Sequence, residues 1–350
     1  MATGARRDDA TLATGLGRWV AAHDGAVPGA ATSAGAAASA VRVAGLVHAE
    51  GGMANETVLL DFGPGHAGMV VRLPPLDATF PDYDLAPQVA VQNAVAAAGV
   101  PAPAPAVVEP DPSWVGAPFL AMPRVHGAVA GPAPAFDPYV LDAGPALQRV
   151  MYDGLIDVLA AIHTVPWEAP GLAEVLGGPR LADALARWSG YVEWSSEGDP
   201  LPALAKALDW CTRHCPPERD AVLLWGDVRL GNLVFDDARH VVAVLDWDLA
   251  ALGPPEMDLG WHFGLDFMME ALFGQRVPGF PSRVEALERY ERESGHEVRD
   301  LAWHEVFALV RALAINDRHQ RITRDPRRRE NPMAAVLLAR LEDASSSIRS

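Results

Sequence analysis

Cysteine is nearly absent: Cys211 and Cys215 are the only two in 350 residues. They lie four apart in what reads as a helix, with no second Cys or Cys/His pair to complete a zinc site. Two unpaired thiols are therefore expected, not a disulfide framework or a structural zinc. Positive charge is also short. Lys and Arg total 28 against 45 Asp and Glu, so 28 minus 45 gives a formal net charge of -17, the wrong sign for a nucleic-acid or anionic-membrane surface. Such a surface favours solubility and suits cationic or magnesium-bound partners. No apolar run approaches the roughly 18 residues needed to span a bilayer. The opening stretch MATGARRDDATLATGLGRWV carries acids and has no apolar h-region, so a cytoplasmic protein is expected. There is no P-loop and no G-x-S-x-G elbow, and His296-Glu297 and His304-Glu305 lack the second His that a zinc-protease helix requires.

What is present is enough for a sizeable core. Hydrophobic residues make up 50% of the chain, and Gly (31) plus Pro (30) stay below the level of a low-complexity sequence. At roughly 100 to 200 residues per domain, two lobes are expected, over 1–122 and 123–350. In the first, a short helix over 12–23 and an Ala/Gly/Ser-rich connector over 25–40 precede short apolar runs bounded by glycine, VRVAGLV, TVLLDFG and GMVVRLP. These read as antiparallel strands. A helix over 85–98 follows, with Asp84 as N-cap and Gly99 and Pro101 as stop signals, then two more strands, VVEP and APFLAMP. The fold class is thus α+β, a small antiparallel sheet lobe followed by a larger, mainly helical one. Leu155, Val158, Leu159 and Ile162 share one helical face, and further helices are expected near 202–214, 282–294, 301–319 and 332–346.

One stretch of the second lobe breaks the helical pattern. AVLLWGDVRLGNLVFDDARHVVAVLDWDLAALGPPEMDLGW contains three strand-like bursts, VLL, LVF and VVAVL, and the last two should pair as a hairpin turning at 236–240. Asn232 precedes the first hairpin strand and Asp246 follows the second, so antiparallel pairing brings them to the same end. Asp227 lies five residues earlier on the adjoining loop. Two carboxylates and an amide oxygen at one mouth form an all-oxygen set suited to a hard cation such as Mg²⁺ bound together with phosphates. Phosphoryl transfer needs that division of labour, since its catalysis is mostly positioning and charge neutralisation.

At these residues the sequence resembles a known family. Trp225-Gly226-Asp227-Val228-Arg229-Leu230-Gly231-Asn232 resembles the H-G-D-x-x-x-x-N catalytic loop of the aminoglycoside phosphotransferase and choline kinase group, which has a protein-kinase-like fold. Val244-Leu245-Asp246-Trp247-Asp248 resembles that group's metal-binding strand end, and 252–259 resembles its G-D-P-x-x-D-L-A segment. The stretch LDWDLAALGPPEMDLGW is most similar to the branch of kinase domains associated with acyl-CoA dehydrogenases. The resemblance implies an ATP- and Mg²⁺-dependent kinase that phosphorylates a hydroxyl on a small molecule, a hydroxyacyl compound or an aminoglycoside. Asp227 would be the catalytic base, with Arg229 beside it, although a salt bridge fits Arg229 equally. Asn232 and Asp246 would be the magnesium ligands and Asp258 a buried anchor for the loop.

On the nucleotide side, 50–57 falls where the family folds a loop over the ATP phosphates, although it is not G-x-G-x-x-G, and it offers Gly52, Asn55 and Thr57. Arg72 stands where kinases carry a phosphate-binding Lys, and Gln88 where a Glu would pair with it. Met122 and Arg124 fall in the segment that would meet the adenine edge. The altered pair also allows a weak or inactive nucleotide-binding module. By the same resemblance, the acceptor is expected against the later helices, near His262, Asp266, Glu270, Glu305, Arg311, Asn316 and Arg318. His163 reads as a packed core residue. Trp225, in the place of the family's His, should pack the loop.

Overall fold

The computed structural model describes residues 6–23, 27–29, 42–49, 55–168 and 171–349. Gly52, and the connector over 25–40 except for 27–29, lie outside the described residues. The chain divides into two compact units, Met1–His126 and Gly127–Ser350.

The first unit comprises α1 (Asp9–Ala22), β1 (Gly45–His48), β2 (Glu56–Asp61), β3 (Met69–Leu73), α2 (Ala86–Ala97), β4 (Val107–Glu109) and β5 (Phe119–Pro123). The strands form one antiparallel sheet ordered β1-β2-β3-β5-β4. Alternation assigns the two faces. Val58, Leu60, Met69, Val71 and Leu73 are buried with Leu12, Leu16 and Trp19 of α1. Val70, Leu120 and Met122 form a second cluster with Leu85 and Val89, at the start of α2. Helix α1 begins three residues earlier than its apolar pattern suggests, because the Asp8 carboxylate accepts the Thr11 N–H at 2.9 Å and caps it. Asp84 accepts the Ala86 N–H at 3.0 Å at the start of α2.

The second unit begins with β6 (Ala128–Val129), α3 (Pro138–Leu141), α4 (Gly144–His163), α5 (Leu172–Leu176), α6 (Leu181–Ser196) and α7 (Pro202–Arg213). Next come β7 (Val222–Leu224), β8 (Leu233–Phe235), β9 (Val241–Val244) and β10 (Ala251–Gly253), then α8 (Glu256–Phe273), α9 (Arg283–Ser294), α10 (Leu301–Ile322) and α11 (Pro332–Arg349). Strands β8 and β9 form the expected hairpin, with β6 on its other edge, while β7 pairs antiparallel with β10. Cys211 and Cys215 are both free thiols, but Cys215 lies two residues beyond the end of α7. Among the described residues, no helix is long and apolar enough to cross a membrane.

Four helices, the short α3 and α5 and the longer α6 and α8, lie outside the expected ranges. In α8 every residue from Glu256 to Gly264 is buried, the polar Glu256, Asp258 and His262 included, so the segment has no solvent-facing side and its polar and apolar residues do not sort by the 3.6-residue period of a surface helix. It packs on α10 through glycines. A Cβ on Gly260 would come within 2.6 Å of the His304 carbonyl carbon, and one on Gly264 within 3.3 Å of Glu305 O. Such close approach fixes the height of α8, and α8 in turn carries part of the site. Gly260→Ala is therefore expected to destabilise the protein by about 1–3 kcal/mol despite the better helix propensity of alanine. Urea denaturation monitored by tryptophan fluorescence would check this, with wild-type stability as the contrary result.

Candidate functional site

The loop Trp225–Asn232 leaves β7 through a backbone that only glycine accommodates. Gly226 has φ +92°, and a Cβ there would lie 2.1 Å from Leu249 O. The next constraint comes from α8. Asp258, in its first turn, accepts the backbone N–H of Trp225 at 2.7 Å and that of Gly226 at 2.9 Å, one on each carboxylate oxygen. The helix N-terminus favours that negative charge. His163 Nε2 lies 3.2 Å from the same carboxylate, and its Nδ1 lies 2.6 Å from the Tyr290 hydroxyl, so this buried His braces the anchor. Trp225 is fully buried and donates its single indole N–H to Leu245 O at 2.9 Å, tying the loop to the residue before Asp246.

These ties present Asp227, whose side chain is 15% exposed and so reachable from solvent. Its Oδ2 accepts Arg229 Nε at 2.9 Å and Asn232 Nδ2 at 2.7 Å, and its Oδ1 accepts Trp261 Nε1 at 2.8 Å. Burial pulls the Arg229 pKa down, but the carboxylates of Asp227 and Asp246 outweigh it and hold the guanidinium above its ordinary value. Leu233 pairs with Val244, and the Leu245 N–H donates to Asn232 O at 2.8 Å, so Asn232 and Asp246 flank the open end of the hairpin, opposite its turn. Asp246 itself has φ +66°, a left-handed conformation that non-glycine residues rarely adopt outside turns and functional sites.

The donor set fits a hard cation. Asn232 spends its amide nitrogen on Asp227, which turns its oxygen toward other partners, and Asp246 adds a carboxylate. Among the described residues, no group of three or more His, Cys, Asp or Glu is placed to hold a metal alone. A cation there would complete its shell with phosphate oxygens and water, as Mg²⁺ does.

The nucleotide-side residues that are described lie in the first unit. Thr57, Arg72 and Leu120 form one cross-strand row, since Arg72 pairs with Thr57 on β2 and with Leu120 on β5. Asn55 is buried just before β2, and Met122 is buried opposite Val70. The Arg124 N–H donates to Gly68 O at 3.0 Å. Gln88 is buried, and its amide oxygen has no hydrogen-bond partner among the described residues. Lys206 is the only lysine in the sequence and lies on α7, so an arginine must serve if this sheet grips phosphate.

The residues expected around an acceptor are largely committed to packing. His262 Nε2 meets the Tyr152 hydroxyl at 2.7 Å, and Asn316 Oδ1 accepts Asn331 Nδ2 at 2.7 Å. Glu305 is fully buried between Arg283 and Arg340, so it is a structural ion pair. Arg311 and Arg318 do share one face of α10, but that face meets the aromatic side chains of α6. Arg311 stacks on Trp188 at 4.9 Å, and Arg318 stacks on Trp194 at 4.6 Å while pairing with Glu197. Sequence reasoning missed Trp261. The available signal was its position three residues after Asp258, which puts both on one side of the same helix.

Known proteins share the sequence family and fold of this chain. The phosphotransferase enzyme family model matches residues 45–301. Acyl-CoA dehydrogenase family member 11 of Pongo abelii is 26% identical over 74% of this chain, and member 10 of Mus musculus is 29% identical over 55%. The chain spans only 33% and 18% of those relatives' lengths. Among solved structures, a candidate aminoglycoside phosphotransferase of Ralstonia eutropha superposes with a TM-score of 0.66 at 24% identity, covering 97% of this chain and 99% of that one. A macrolide 2′-phosphotransferase of Brachybacterium faecium gives 0.53 at 22% identity, covering 85% and 94%. A thermostable aminoglycoside phosphotransferase mutant, solved with ADP and hygromycin B, gives 0.59 at 15% identity, covering 86% and 94%. These likenesses establish a two-lobed, kinase-like fold.

Asp258→Ala leaves two buried backbone N–H groups without an acceptor. The expected loss is about 2–4 kcal/mol in urea denaturation, and an unchanged midpoint would show that the loop is held by other contacts.

Proposed function

The chain belongs to the phosphotransferase enzyme family and is a small-molecule phosphotransferase; on that premise we propose that it transfers the γ-phosphoryl group of ATP to a hydroxyl oriented by Asp227. The observation that carries this reading is the bonding of the Asp227 carboxylate. Both lone pairs of Oδ2 are taken by Arg229 and Asn232, and one on Oδ1 by Trp261. The remaining Oδ1 lone pair faces the acceptor. It takes the hydroxyl proton as the new O–P bond forms and the bond from the γ-phosphorus to the bridging oxygen breaks. Arg229 is the positioning partner of Asp227 in this scheme.

Asn232 Oδ1 and the Asp246 carboxylate would hold Mg²⁺, which when bound neutralises charge on the transferring phosphate. Gly52, Asn55, Thr57 and Arg72 are proposed to take the phosphates, and the Met122 and Arg124 backbone the adenine edge. A guanidinium can grip phosphate through two N–H donors, which makes Arg72 a workable substitute for lysine. For the acceptor, the likeness to acyl-CoA dehydrogenase family members favours a hydroxyacyl compound over an aminoglycoside. Arg311 and Arg318 do not contribute to that choice, since each is engaged with aromatic side chains on α6.

The proposal is tested by an ATP-consumption assay across hydroxyacyl thioesters, free hydroxy acids and aminoglycosides. Asp227→Asn is expected to lower kcat about 10²- to 10⁴-fold while leaving Mg-ATP affinity near normal. Near-wild-type turnover by that variant would sink the assignment.

Asp246→Ala is expected to lose the thermal stabilisation that ATP confers only when magnesium is present. A magnesium titration matching wild type would remove Asp246 as the ligand.

A further inference from the structure

Arg311 is a buried cation that forms no ion pair among the described residues. It is 3% exposed, its Nε has no hydrogen-bond partner among the described residues, and its guanidinium reaches only Gly226 O, at 3.5 Å. An isolated buried charge is expensive. Burial lowers its pKa to about 10, so it remains protonated near neutral pH, supported by the field of Asp258 and Asp227.

Its close neighbours are two indole faces. The guanidinium lies 4.7 Å from the ring centroid of Trp261 on α8 and 4.9 Å from that of Trp188 on α6, so three helices meet at one cation. Cation–π attraction of this kind strengthens when both partners are desolvated. A positive charge over the ring also withdraws electron density from the indole, making its N–H a better donor, and the Trp261 N–H ends on Asp227 Oδ1. Asp258 and Trp261 lie three residues apart on α8, the first gripping the backbone of the loop and the second its carboxylate.

We propose that Arg311 and Trp261 are positioning residues for Asp227: the buried guanidinium fixes the tilt and donor strength of the Trp261 indole, which locks the carboxylate in one rotamer. This inference rests on the assignment of Asp227 as the group that orients the acceptor. The lock leaves a single Oδ1 lone pair for the hydroxyl, so the two residues act on turnover and not on nucleotide binding.

The first test does not need activity. In a ¹⁵N-indole-labelled protein, Trp261→Phe identifies the Trp261 resonance. Asp227→Asn and Arg311→Lys should each move that resonance, because one changes the acceptor and the other replaces the planar cation over the ring. A resonance indifferent to either substitution would overturn the proposal. The second test is kinetic, using whichever acceptor the consumption assay identifies. Trp261→Phe, which keeps an aromatic face under the guanidinium and removes the N–H, should lower kcat at least tenfold with KM for Mg-ATP within twofold. Arg311→Lys should fall between wild type and Trp261→Phe. The double variant should be no slower than Trp261→Phe alone, since both act through one hydrogen bond. Additive losses, or wild-type kcat in Trp261→Phe, would refute the relay. If wild type turns over no acceptor, the assignment of Asp227 fails, while the indole spectrum still reports whether the clamp exists.

Discussion

The second unit is organised around one carboxylate. Asp258 accepts two consecutive backbone N–H groups at the mouth of the loop after β7, and the geometry downstream follows from that fastening. With Trp225 and Gly226 pinned, Gly226 must adopt its left-handed turn against Leu249, and Asp227 emerges pointing toward Asn232 and Trp261. The anchor is itself braced by His163 and Tyr290, so a buried network from α4 and α9 stands behind a partly exposed acid. A low-dielectric surrounding makes such a network rigid when it is fully bonded, and costly when one member is removed.

Helix α8 supplies the tension on the other side. Its glycines let it lie close against α10, and its Asp258 and Trp261 reach the same loop one turn apart. This arrangement separates two tasks that a catalytic acid presents together. The backbone must be held against the strain of a tight turn, and the carboxylate must be held in one rotamer while a lone pair stays open. Hydrogen bonds to backbone solve the first task and an indole donor the second, with little reorganisation left for the moment of reaction.

The substitution of Trp225 for the histidine of the resembled loop fits the same logic. A histidine ring can bond on two sides, whereas an indole has one donor and a larger apolar body. Here that donor reaches Leu245 O, next to Asp246, so the loop and the end of β9 remain joined through one bond and extensive packing. The first unit shows a parallel exchange. Arg72 and Gln88 stand where a lysine and a glutamate would pair in the resembled kinases, and the chain's one lysine is on α7. An arginine carries its charge without needing a carboxylate to keep it protonated, which relieves position 88 of that role.

The sequence by itself determined the elements whose signals are local. Alternating apolar residues gave the strands of the first unit, glycine and proline marked the ends of α2, and the bursts around 233–235 and 241–244 paired as their spacing required, bringing Asn232 and Asp246 to one end. The motif order around Asp227, Asn232 and Asp246 carried the family assignment, which the match over 45–301 supports. Tertiary structure decided what depends on packing from several directions. Helix α8 is buried on every side over Glu256–Gly264, its polar Glu256, Asp258 and His262 included, so no exposed face marks that half and neither the helix's extent nor the role of Trp261 is legible in the sequence. Arg311 and Arg318 lie seven apart, two helical turns, and so share a face of α10, but only packing shows that the face meets the tryptophans of α6, because a helical period assigns direction within one helix and is silent about its neighbours. Glu305, expected on the acceptor side, is fully buried and paired with Arg283 and Arg340. Charge is legible in sequence, whereas burial belongs to the assembled fold.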